Sequence, residues 1–405
     1  MKPIKLISNK DSRNRLTEES HTKFMSQITI NAVRTFHQNI SNYHPTPLYS
    51  LINLANRINL NKIWVKDESY RFGLNAFKVL GGSYAIGIYL SRKLGIPILD
   101  LTFEKLKSRE YREKIEDITF VTATDGNHGR GVAWTANKLN QKAVVFMPKG
   151  SSEFRVKSIK KENAEVIVTN QYYDKTVKMA AEFAAENNGV LIQDTAWEGY
   201  TEIPTWIMQG YSTLIDEILE QLKKQGELFP THVFLQAGVG SFAAAIQEYL
   251  MEKFGNDRPL TIVIEPHNAA CLYKSAKKGD KKPHSVKGRL STIMAGLACG
   301  KPNIIAWNVL RDLADFFVSC SDGIAARGMR ILGNPLLNDP KIISGESGAV
   351  GLGLLVELLE NESYCDFKEK LNLSMESRIL IFSTEGDTDP DHYREVVWDG
   401  KHSFL

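Results

Sequence analysis

Residues 118–147 read ITFVTATDGNHGRGVAWTANKLNQKAVVFM, and this stretch decides the fold class. Short apolar runs at 118–122 and 143–147 predict β-strands, and the periodic run between them at 128–139 predicts a helix. A strand, a helix and a second strand in this order are typical of a βαβ unit with parallel strands. The loop between the first strand and the helix, 124–129, is small and polar, which suits a ligand site as well as an N-cap cluster.

Strands and helices alternate along most of the chain. Further strands are predicted at 63–66, 165–169, 190–194, 233–237, 261–265 and 378–382, and further helices at 76–93, 174–187, 205–224 and 240–254. This alternation is typical of an α/β protein with doubly wound, mainly parallel sheets. Ligands bind at the carboxyl ends of such strands, so loops that are far apart in sequence are expected to meet in one cleft.

The composition excludes several classes of protein. With 405 residues the chain is long enough for two lobes with separate cores, and a formal net charge of +3 requires no nucleic acid partner. No apolar run reaches the ~20 residues that span a membrane. Residues 1–15 are polar, unlike a secretory signal, and predict a poorly ordered tail. We therefore expect a cytoplasmic protein.

The four cysteines fit neither a zinc motif nor a disulfide scaffold, so no metal site is predicted and reduced thiols are expected. If any pair forms a disulfide, we predict Cys271 and Cys299, because they flank a polar, basic segment that the bond would restrain. The basic part of that segment, 277–289, has few aromatic residues and predicts a solvated loop.

Lys78 is the first candidate for chemistry. It stands near the start of the predicted helix 76–93, where the positive end of the helix dipole disfavours a charged amine and predicts a lowered pKa. A neutral lysine is a nucleophile that can bond to an aldehyde. The alternative without a function is a solvent-exposed lysine on the surface of the helix. Against it, the neighbours are apolar, and Gly81 and Gly82 allow another backbone to approach closely.

A glycine segment after the predicted strand 233–237 is the second candidate. Gly238, Val239, Gly240 and Ser241 precede a helix, and a turn of this kind exposes backbone N–H groups that bind phosphate. A structural turn is the bland alternative. A rival functional interpretation is a dinucleotide fingerprint that ends at Glu265, which would leave Lys78 without a role.

Two other polar segments follow predicted strands. Asp194 opens the segment 194–200, which is rich in acids and aromatic residues and forms either a substrate wall or only a packed loop. Ser383 and Thr384 follow the last predicted strand. A hydroxyl here can form a hydrogen bond with a ring nitrogen, or the segment can be only a turn.

Several of these stretches resemble the fold-type II pyridoxal phosphate (PLP) enzymes, and within them the diaminopropionate ammonia-lyases. The matching stretches are HPTPL at 44–48, KDE at 66–68, RFGLNAFK at 71–78, TDGNHGRG at 124–131, DTAWEGY at 194–200, SGESGA at 344–349 and STEGDTD at 383–389. Related dehydratases usually carry a small residue where this chain has Asp125. The resemblance covers most of the chain, and it implies PLP as the cofactor and an amino acid as the substrate.

The resemblance also implies roles for single residues. Lys78 would carry the cofactor and act as the base for the L-substrate, Asp125 would act as the base for the D-substrate, and Asp194 would hold the leaving ammonium group. Cofactor contacts are implied for Lys78, Asn127, Gly238, Val239, Gly240, Ser241, Ser383 and Thr384, and substrate contacts for Thr124, Gly126 and His128. The sequence does not decide whether Ser383 or Thr384 meets the pyridine nitrogen.

The activity implied is elimination of ammonia from D- and L-2,3-diaminopropionate, giving pyruvate and a second ammonia. The runner-up is a serine or threonine dehydratase of the same fold, and a non-catalytic cofactor-binding regulator and an NAD-dependent dehydrogenase also stay open at this point. The resemblance further implies a homodimer with a large PLP-binding domain, 1–87 and 197–405, and a small mobile domain, 88–196.

Overall fold

The structure is a computed structural model that describes residues 3–10, 12–13 and 23–403. Its strands are β1 (Ile4–Ser8), β2 (Leu48–Ser50), β3 (Lys62–Asp67), β4 (Thr119–Ala123), β5 (Lys142–Met147), β6 (Glu165–Val168), β7 (Val190–Leu191), β8 (His232–Gln236), β9 (Leu260–Pro266), β10 (Phe316–Cys320) and β11 (Arg378–Ser383). Its α-helices are α1 (Gln27–Gln38), α2 (Ile52–Arg57), α3 (Val79–Leu94), α4 (Phe103–Lys107), α5 (Arg109–Ile115), α6 (Asn127–Lys138), α7 (Glu153–Lys160), α8 (Tyr173–Glu186), α9 (Glu202–Gly210), α10 (Ser212–Lys224), α11 (Ser241–Phe254), α12 (Cys271–Lys278), α13 (Ile304–Leu313), α14 (Asp322–Gly333), α15 (Glu346–Glu360), α16 (Cys365–Lys370) and α17 (Pro390–Val397).

The chain divides into two compact units. The first contains the described residues of Met1–Lys23 together with Thr46–Tyr70 and Glu217–Leu405, and the second contains Phe24–Pro45 and Arg71–Asp216. Residues 24–45, 71–87 and 197–216, which we assigned to the large domain, thus group with the second unit. The division into a large PLP-binding domain and a small mobile domain stays a prediction.

The first unit is built on a seven-stranded sheet with the strand order β1-β10-β9-β8-β11-β3-β2. Its inner strands run parallel, and only the edge strands β1 and β2 pair antiparallel with their neighbours. Strand β8 is buried along its whole length, as expected for a parallel sheet that is covered on both faces. The prediction of a doubly wound, mainly parallel architecture is confirmed.

The second unit has a four-stranded sheet in the order β6-β5-β4-β7, and all of its pairs are parallel. Its apolar core is formed on one face by side chains of β4, β5 and α8, including Val121, Phe146 and Ala180. Strands β4 and β7 are neighbours, with Val121 opposite Leu191, so the loops that follow them begin at the same edge of the sheet.

Two local predictions are wrong. Residues 4–8 form strand β1, in which Ile4 is buried and pairs with Cys320, and are not part of a disordered tail. Of the predicted tail, residues 1, 2, 11, 14 and 15 lie outside the described residues. The helix predicted at 205–224 is two helices, α9 and α10, separated by Tyr211.

The four cysteines are free thiols, so the conditional pairing of Cys271 with Cys299 is not formed in this structure. Cys271 and Cys320 are buried, as expected for most of them, whereas Cys365 is exposed. Among the residues that the structure describes, no helix is long and apolar enough to cross a membrane.

Candidate active site

Lys78 is the residue that immediately precedes α3, in the second unit. The start of α3 lies against α9 at unusually short range. A Cβ on Gly210 would be 2.5 Å from the carbonyl oxygen of Leu80, and a Cβ on Gly81 would be 2.6 Å from the ring of Tyr211. The predicted close approach of another backbone at Gly81 is confirmed, and it fixes the turn that carries Lys78.

The Lys78 amine forms an ion pair with a buried carboxylate. Its Nζ donates to Oδ2 of Asp194 at 2.5 Å, and the Asp194 side chain is only 6% exposed. Burial alone would lower the pKa of Lys78, but attraction to Asp194, Tyr211 and Asp125 outweighs it and raises the pKa above the ordinary value. The predicted lowered pKa is therefore wrong for this arrangement, because a nearby carboxylate exceeds the effect of the helix dipole.

Asp194 is positioned by the segment that follows β7. Its other oxygen faces the amide of Gln193 at 3.4 Å, and that amide also donates to the hydroxyl of Tyr173. The side-chain oxygen Oε1 of Gln193 accepts from the backbone N–H of Ala123 at 2.9 Å, which ties the segment to β4. Burial would raise the pKa of Asp194, but the ammonium of Lys78 lowers it to about 2. Asp194 is therefore ionised at neutral pH.

The segment 194–200 is a tightly closed loop. Trp197 stacks on Tyr200 with ring centroids 4.4 Å apart, and the backbones of these residues bond to each other. The Tyr200 hydroxyl accepts from the backbone of Gln193 and donates to the carbonyl of Leu191. This packing holds Asp194 in place, so part of the segment serves as structural support.

The loop after β4 brings two more predicted residues to Lys78. Asp125 lies near enough for its carboxylate to raise the pKa of Lys78. His128 is 2% exposed, and its Nε2 donates to the carbonyl of Ile192 at 2.8 Å. Its Nδ1 is therefore an acceptor, and within the described part of the chain it has no hydrogen-bond partner. Burial lowers the pKa of His128, so the ring is neutral.

The other predicted residues of this loop shape its backbone. The Thr124 hydroxyl accepts from the N–H of Gly126 at 2.9 Å, and Asn127 is the first residue of α6. Lys78, Asp125, His128 and Asp194, together with Tyr211, are called the lysine cluster below. Tyr211 was missed by sequence analysis. Its ring lies 5.9 Å from Nζ of Lys78 and 4.8 Å from the ring of Phe77.

The glycine loop, residues 238–241, belongs to the first unit and follows β8. Gly240 has φ +99°, which only glycine adopts readily, and it caps α11. The backbone N–H groups of Gly238, Val239 and Gly240 meet no acceptor among the residues that the structure describes. These residues are buried, so a ring of unpaired donors at a helix N-terminus fits a phosphate group.

Glu265 is not placed for a dinucleotide. Its two carboxylate oxygens accept from the backbone N–H groups of Leu272 and Tyr273, at 2.9 and 2.6 Å, and so cap α12. The side chain is fully buried, which raises its pKa to about 8. A carboxylate used in this way is not available to a ribose hydroxyl, so the rival interpretation loses its acidic residue.

Ser383 and Thr384 follow β11, which is a direct neighbour of β8 in the sheet. The Thr384 hydroxyl accepts from Nε2 of Gln236 at 3.0 Å, and no acceptor for its own hydrogen occurs within the described ranges. The Ser383 hydroxyl has a weak acceptor in the carbonyl of Glu385 at 3.4 Å. It also contacts Asp67, whose pKa burial raises to about 6 although bonds from Ser69 and Ser383 oppose the rise.

A family model described as "Pyridoxal-phosphate dependent enzyme" matches residues 41–366. The chain belongs to this family. A diaminopropionate ammonia-lyase of Salmonella typhimurium is 53% identical over 370 residues, which are 91% of this chain and 92% of the relative. The recognition of a fold-type II PLP enzyme that resembles the diaminopropionate ammonia-lyases is confirmed, and so is the predicted cofactor.

Solved structures of the Escherichia coli diaminopropionate ammonia-lyase are also similar. The selenomethionine holo form matches with a TM-score of 0.91 and 51% identity, covering 99% of this chain and 98% of that one. A complex with an aminoacrylate-PLP azomethine reaction intermediate matches with a TM-score of 0.89 and 49% identity, covering the same shares. A threonine dehydratase of Staphylococcus epidermidis is 26% identical over only 69% of this chain. The dehydratase alternative is thus the less favoured one.

Proposed function

We propose that this chain is a diaminopropionate ammonia-lyase that converts both D- and L-2,3-diaminopropionate to pyruvate and two molecules of ammonia. The observation that carries the proposal is the lysine cluster, in which the carboxylates of Asp125 and Asp194 both act on one amine. The cluster occurs in a chain that is 53% identical to a diaminopropionate ammonia-lyase. A dehydratase that acts on a neutral hydroxyl substrate has less use for two carboxylates.

The residues present fit PLP. We propose that Lys78 bonds to its aldehyde and that the buried donors of Gly238, Val239 and Gly240, with Ser241, bind its phosphate. Ser383 or Thr384 would meet the ring nitrogen, and Asn127 would contact the cofactor. Bound PLP withdraws electrons from the α-carbon of the substrate, so that the α-proton can be removed.

The charge of the lysine cluster suits this substrate. Diaminopropionate carries a β-ammonium group, and Asp194 already binds one ammonium group, that of Lys78. When the Lys78 amine leaves this ion pair, Asp194 is free to hold the β-ammonium group and to favour its departure as ammonia. Thr124 and Gly126, just before α6, and the backbone N–H of His128, in its first turn, would bind the substrate carboxylate, because a helix N-terminus favours an anion.

Two bases explain activity on two enantiomers. Lys78 would remove the α-proton of the L-isomer, and Asp125 would remove that of the D-isomer from the opposite side. Each base must then receive one proton per turnover and release it before the next. Neither role requires a metal ion.

Asp125→Asn tests the proposal. The variant keeps the shape of the side chain but removes the base, so we expect turnover of the D-isomer to fall by about 10²- to 10⁴-fold. Turnover of the L-isomer should fall far less, because Lys78 is intact. Pyruvate formation is measured separately with each isomer, and with L-serine and L-threonine.

The matched control is Asp117→Asn, an exposed acid just before β4, which should leave both rates unchanged. Equal losses with both isomers, or no loss with either, would exclude the two-base assignment. Pyruvate from serine or threonine but not from diaminopropionate would favour a dehydratase.

The predicted homodimer and cytoplasmic location remain proposals. The first rests on the resemblance to fold-type II enzymes, and the second rests on the composition of the chain. Sedimentation equilibrium of the cofactor-loaded protein would test the first, since a monomer mass at micromolar concentration would contradict it.

A further inference from the structure

The Tyr211 hydroxyl is an unusual group in the second unit. Tyr211 is fully buried, and its hydroxyl has no hydrogen-bond partner of ordinary geometry among the described residues. Most buried polar groups are paired, because a buried donor that has lost water and gained nothing destabilises the fold. An isolated hydroxyl of this kind suggests a partner that is present only in another state of the protein.

The position of this hydroxyl is fixed by its surroundings. Tyr211 lies at the junction of α9 and α10, and its ring packs on Phe77 and against Gly81. Even a methyl group on Gly81 would come within 2.6 Å of the ring. The ring therefore cannot turn away from the start of α3, where Lys78 lies.

Lys78 is the neighbour that can change state. Its Nζ lies 5.9 Å from the centre of the Tyr211 ring, although the present contact lacks the geometry of an ordinary hydrogen bond. Burial raises the pKa of Tyr211 above the ordinary value, and the Lys78 ammonium only partly opposes this. The phenol therefore keeps its proton at neutral pH and can act as a donor but not as a base. An ammonium has no lone pair to accept this proton, whereas a neutral amine has one.

We propose that the Tyr211 hydroxyl donates a hydrogen bond to the neutral amine of Lys78 whenever this amine is released from Asp194. Tyr211 is then a positioning residue with two effects. It stabilises the neutral form of Lys78, and it orients the amine until the hydrogen bond breaks and frees the lone pair to react. The assignment rests on the proposed function only for its effect on turnover.

The test is Tyr211→Phe, which keeps the ring and its packing. Loss of one hydrogen bond to the neutral amine should shift the pH dependence of Lys78 upward by about half to one pH unit. In the cofactor-free protein, the rate of attachment of added PLP, followed by absorbance, should fall roughly three- to tenfold at a fixed pH below the new midpoint. In the PLP-loaded enzyme, the pKa that governs the acidic side of the pH profile of kcat should rise for the L-isomer and stay unchanged for the D-isomer.

Tyr84→Phe is the matched control. Tyr84 is also a buried tyrosine; it lies within α3, packs on Phe36 and does not belong to the lysine cluster. The control should change neither the attachment profile nor the pKa on the acidic side of the kcat profile. The melting temperature of cofactor-free Tyr211→Phe should be equal to or above that of the wild type, because the variant removes an unpaired buried group.

The outcomes separate this inference from the proposed function. Upward shifts in both profiles with an unchanged or higher melting temperature support it. A lower melting temperature, with equal losses for both isomers and no shift, would mean that the hydroxyl is only structural. If the wild type attaches PLP but forms no pyruvate from diaminopropionate, the proposed function fails, and the attachment profile still decides the role of Tyr211.

Discussion

The lysine cluster and the glycine loop present polar groups in different ways. In the lysine cluster, side chains from the loops after β4 and β7 converge on one amine, and their charges shift the pKa values of Lys78 and Asp194. In the glycine loop, the polar groups are backbone N–H donors that carry no titratable proton. The cluster is thus sensitive to charge and pH, whereas the loop is sensitive to backbone conformation.

This difference separates two kinds of variant. A change of charge with little change of shape should disturb the lysine cluster and leave the glycine loop intact. A substitution that restricts the backbone angle φ without changing charge should disturb the glycine loop and leave the lysine cluster intact.

Lys78→Arg is expected to have the largest effect. Arginine keeps the positive charge that pairs with Asp194, so the fold should survive, but a guanidinium cannot serve as the nucleophile. We expect turnover to fall by at least about 10³-fold and the absorbance band of the lysine-bound cofactor to be lost. Lys93→Arg, in the last turn of the same helix, is the control and should keep both. A band of normal intensity in Lys78→Arg would show that another lysine carries the cofactor.

Asp194→Asn breaks the ion pair and should cost about 3 kcal/mol of stability in the cofactor-free protein. The folded pKa of Asp194 is about 2, below its unfolded value of about 3.9, so this contribution is present above pH 4 and is lost as the pH falls through 2. The raised pKa of Lys78 means that the same contribution is also lost at strongly alkaline pH. Turnover should fall roughly 100-fold, because the variant can no longer hold the leaving β-ammonium group as a carboxylate does.

The difference between the unfolding free energies of wild type and Asp194→Asn, measured in urea, is the quantity to follow. It should be largest near neutral pH and should shrink toward acid. A difference that does not depend on pH between 2 and 7 would mean that the pair contributes through packing rather than charge.

Much of this arrangement follows from short-range sequence patterns. The strand, loop and helix around Asp125 are visible because apolar runs flank a polar loop, and the same holds for Asp194 and for the glycine loop. The loop 124–129 meets Asp194 because β4 and β7 are neighbours in the sheet. The general rule that ligand sites form at the carboxyl ends of parallel strands predicts such a meeting.

Other features have no local pattern. The protonation of Lys78 depends on a carboxylate from a distant loop, and this exceeds the dipole that the sequence does show. Tyr211 lies inside a run that predicts one continuous helix, and its contact with Lys78 depends on Gly81 and Gly210 meeting across two helices. Strand β1 was missed because its apolar run is short and interrupted by Lys5, and only pairing with β10 buries Ile4.

Gly240→Ala tests the glycine loop. A side chain at φ +99° is strained, and its Cβ would be 3.3 Å from Ala306, so we expect a loss of about 1–2 kcal/mol of stability. Because the strained turn carries the phosphate donors, PLP affinity should fall about tenfold, as measured by equilibrium dialysis. Gly255→Ala, at the other end of α11 with φ +55°, is the control for strain alone. Gly255→Ala should lose stability but keep its affinity for PLP. If the two variants bind PLP equally well, the phosphate does not bind to this loop.

The hydroxyls after β11 should give the smallest effect. Thr384 already accepts a bond from Gln236 and keeps its hydrogen for an outside acceptor, whereas the Ser383 hydroxyl has internal partners in Glu385 and Asp67. A pyridine nitrogen without a proton needs such a donor. Thr384→Val should therefore lower PLP affinity about three- to tenfold and change the absorbance of the bound cofactor, as loss of one hydrogen bond would.

Ser383→Ala should behave differently. It removes a donor to Asp67, so the pKa of that carboxyl should rise further, and the effect should be on stability more than on cofactor absorbance. If instead Ser383→Ala changes the absorbance and Thr384→Val does not, then Ser383 serves the ring nitrogen and must exchange its internal partners when the cofactor binds. In that case the first unit, like the lysine cluster, contains a polar side chain whose partner depends on the state of the protein.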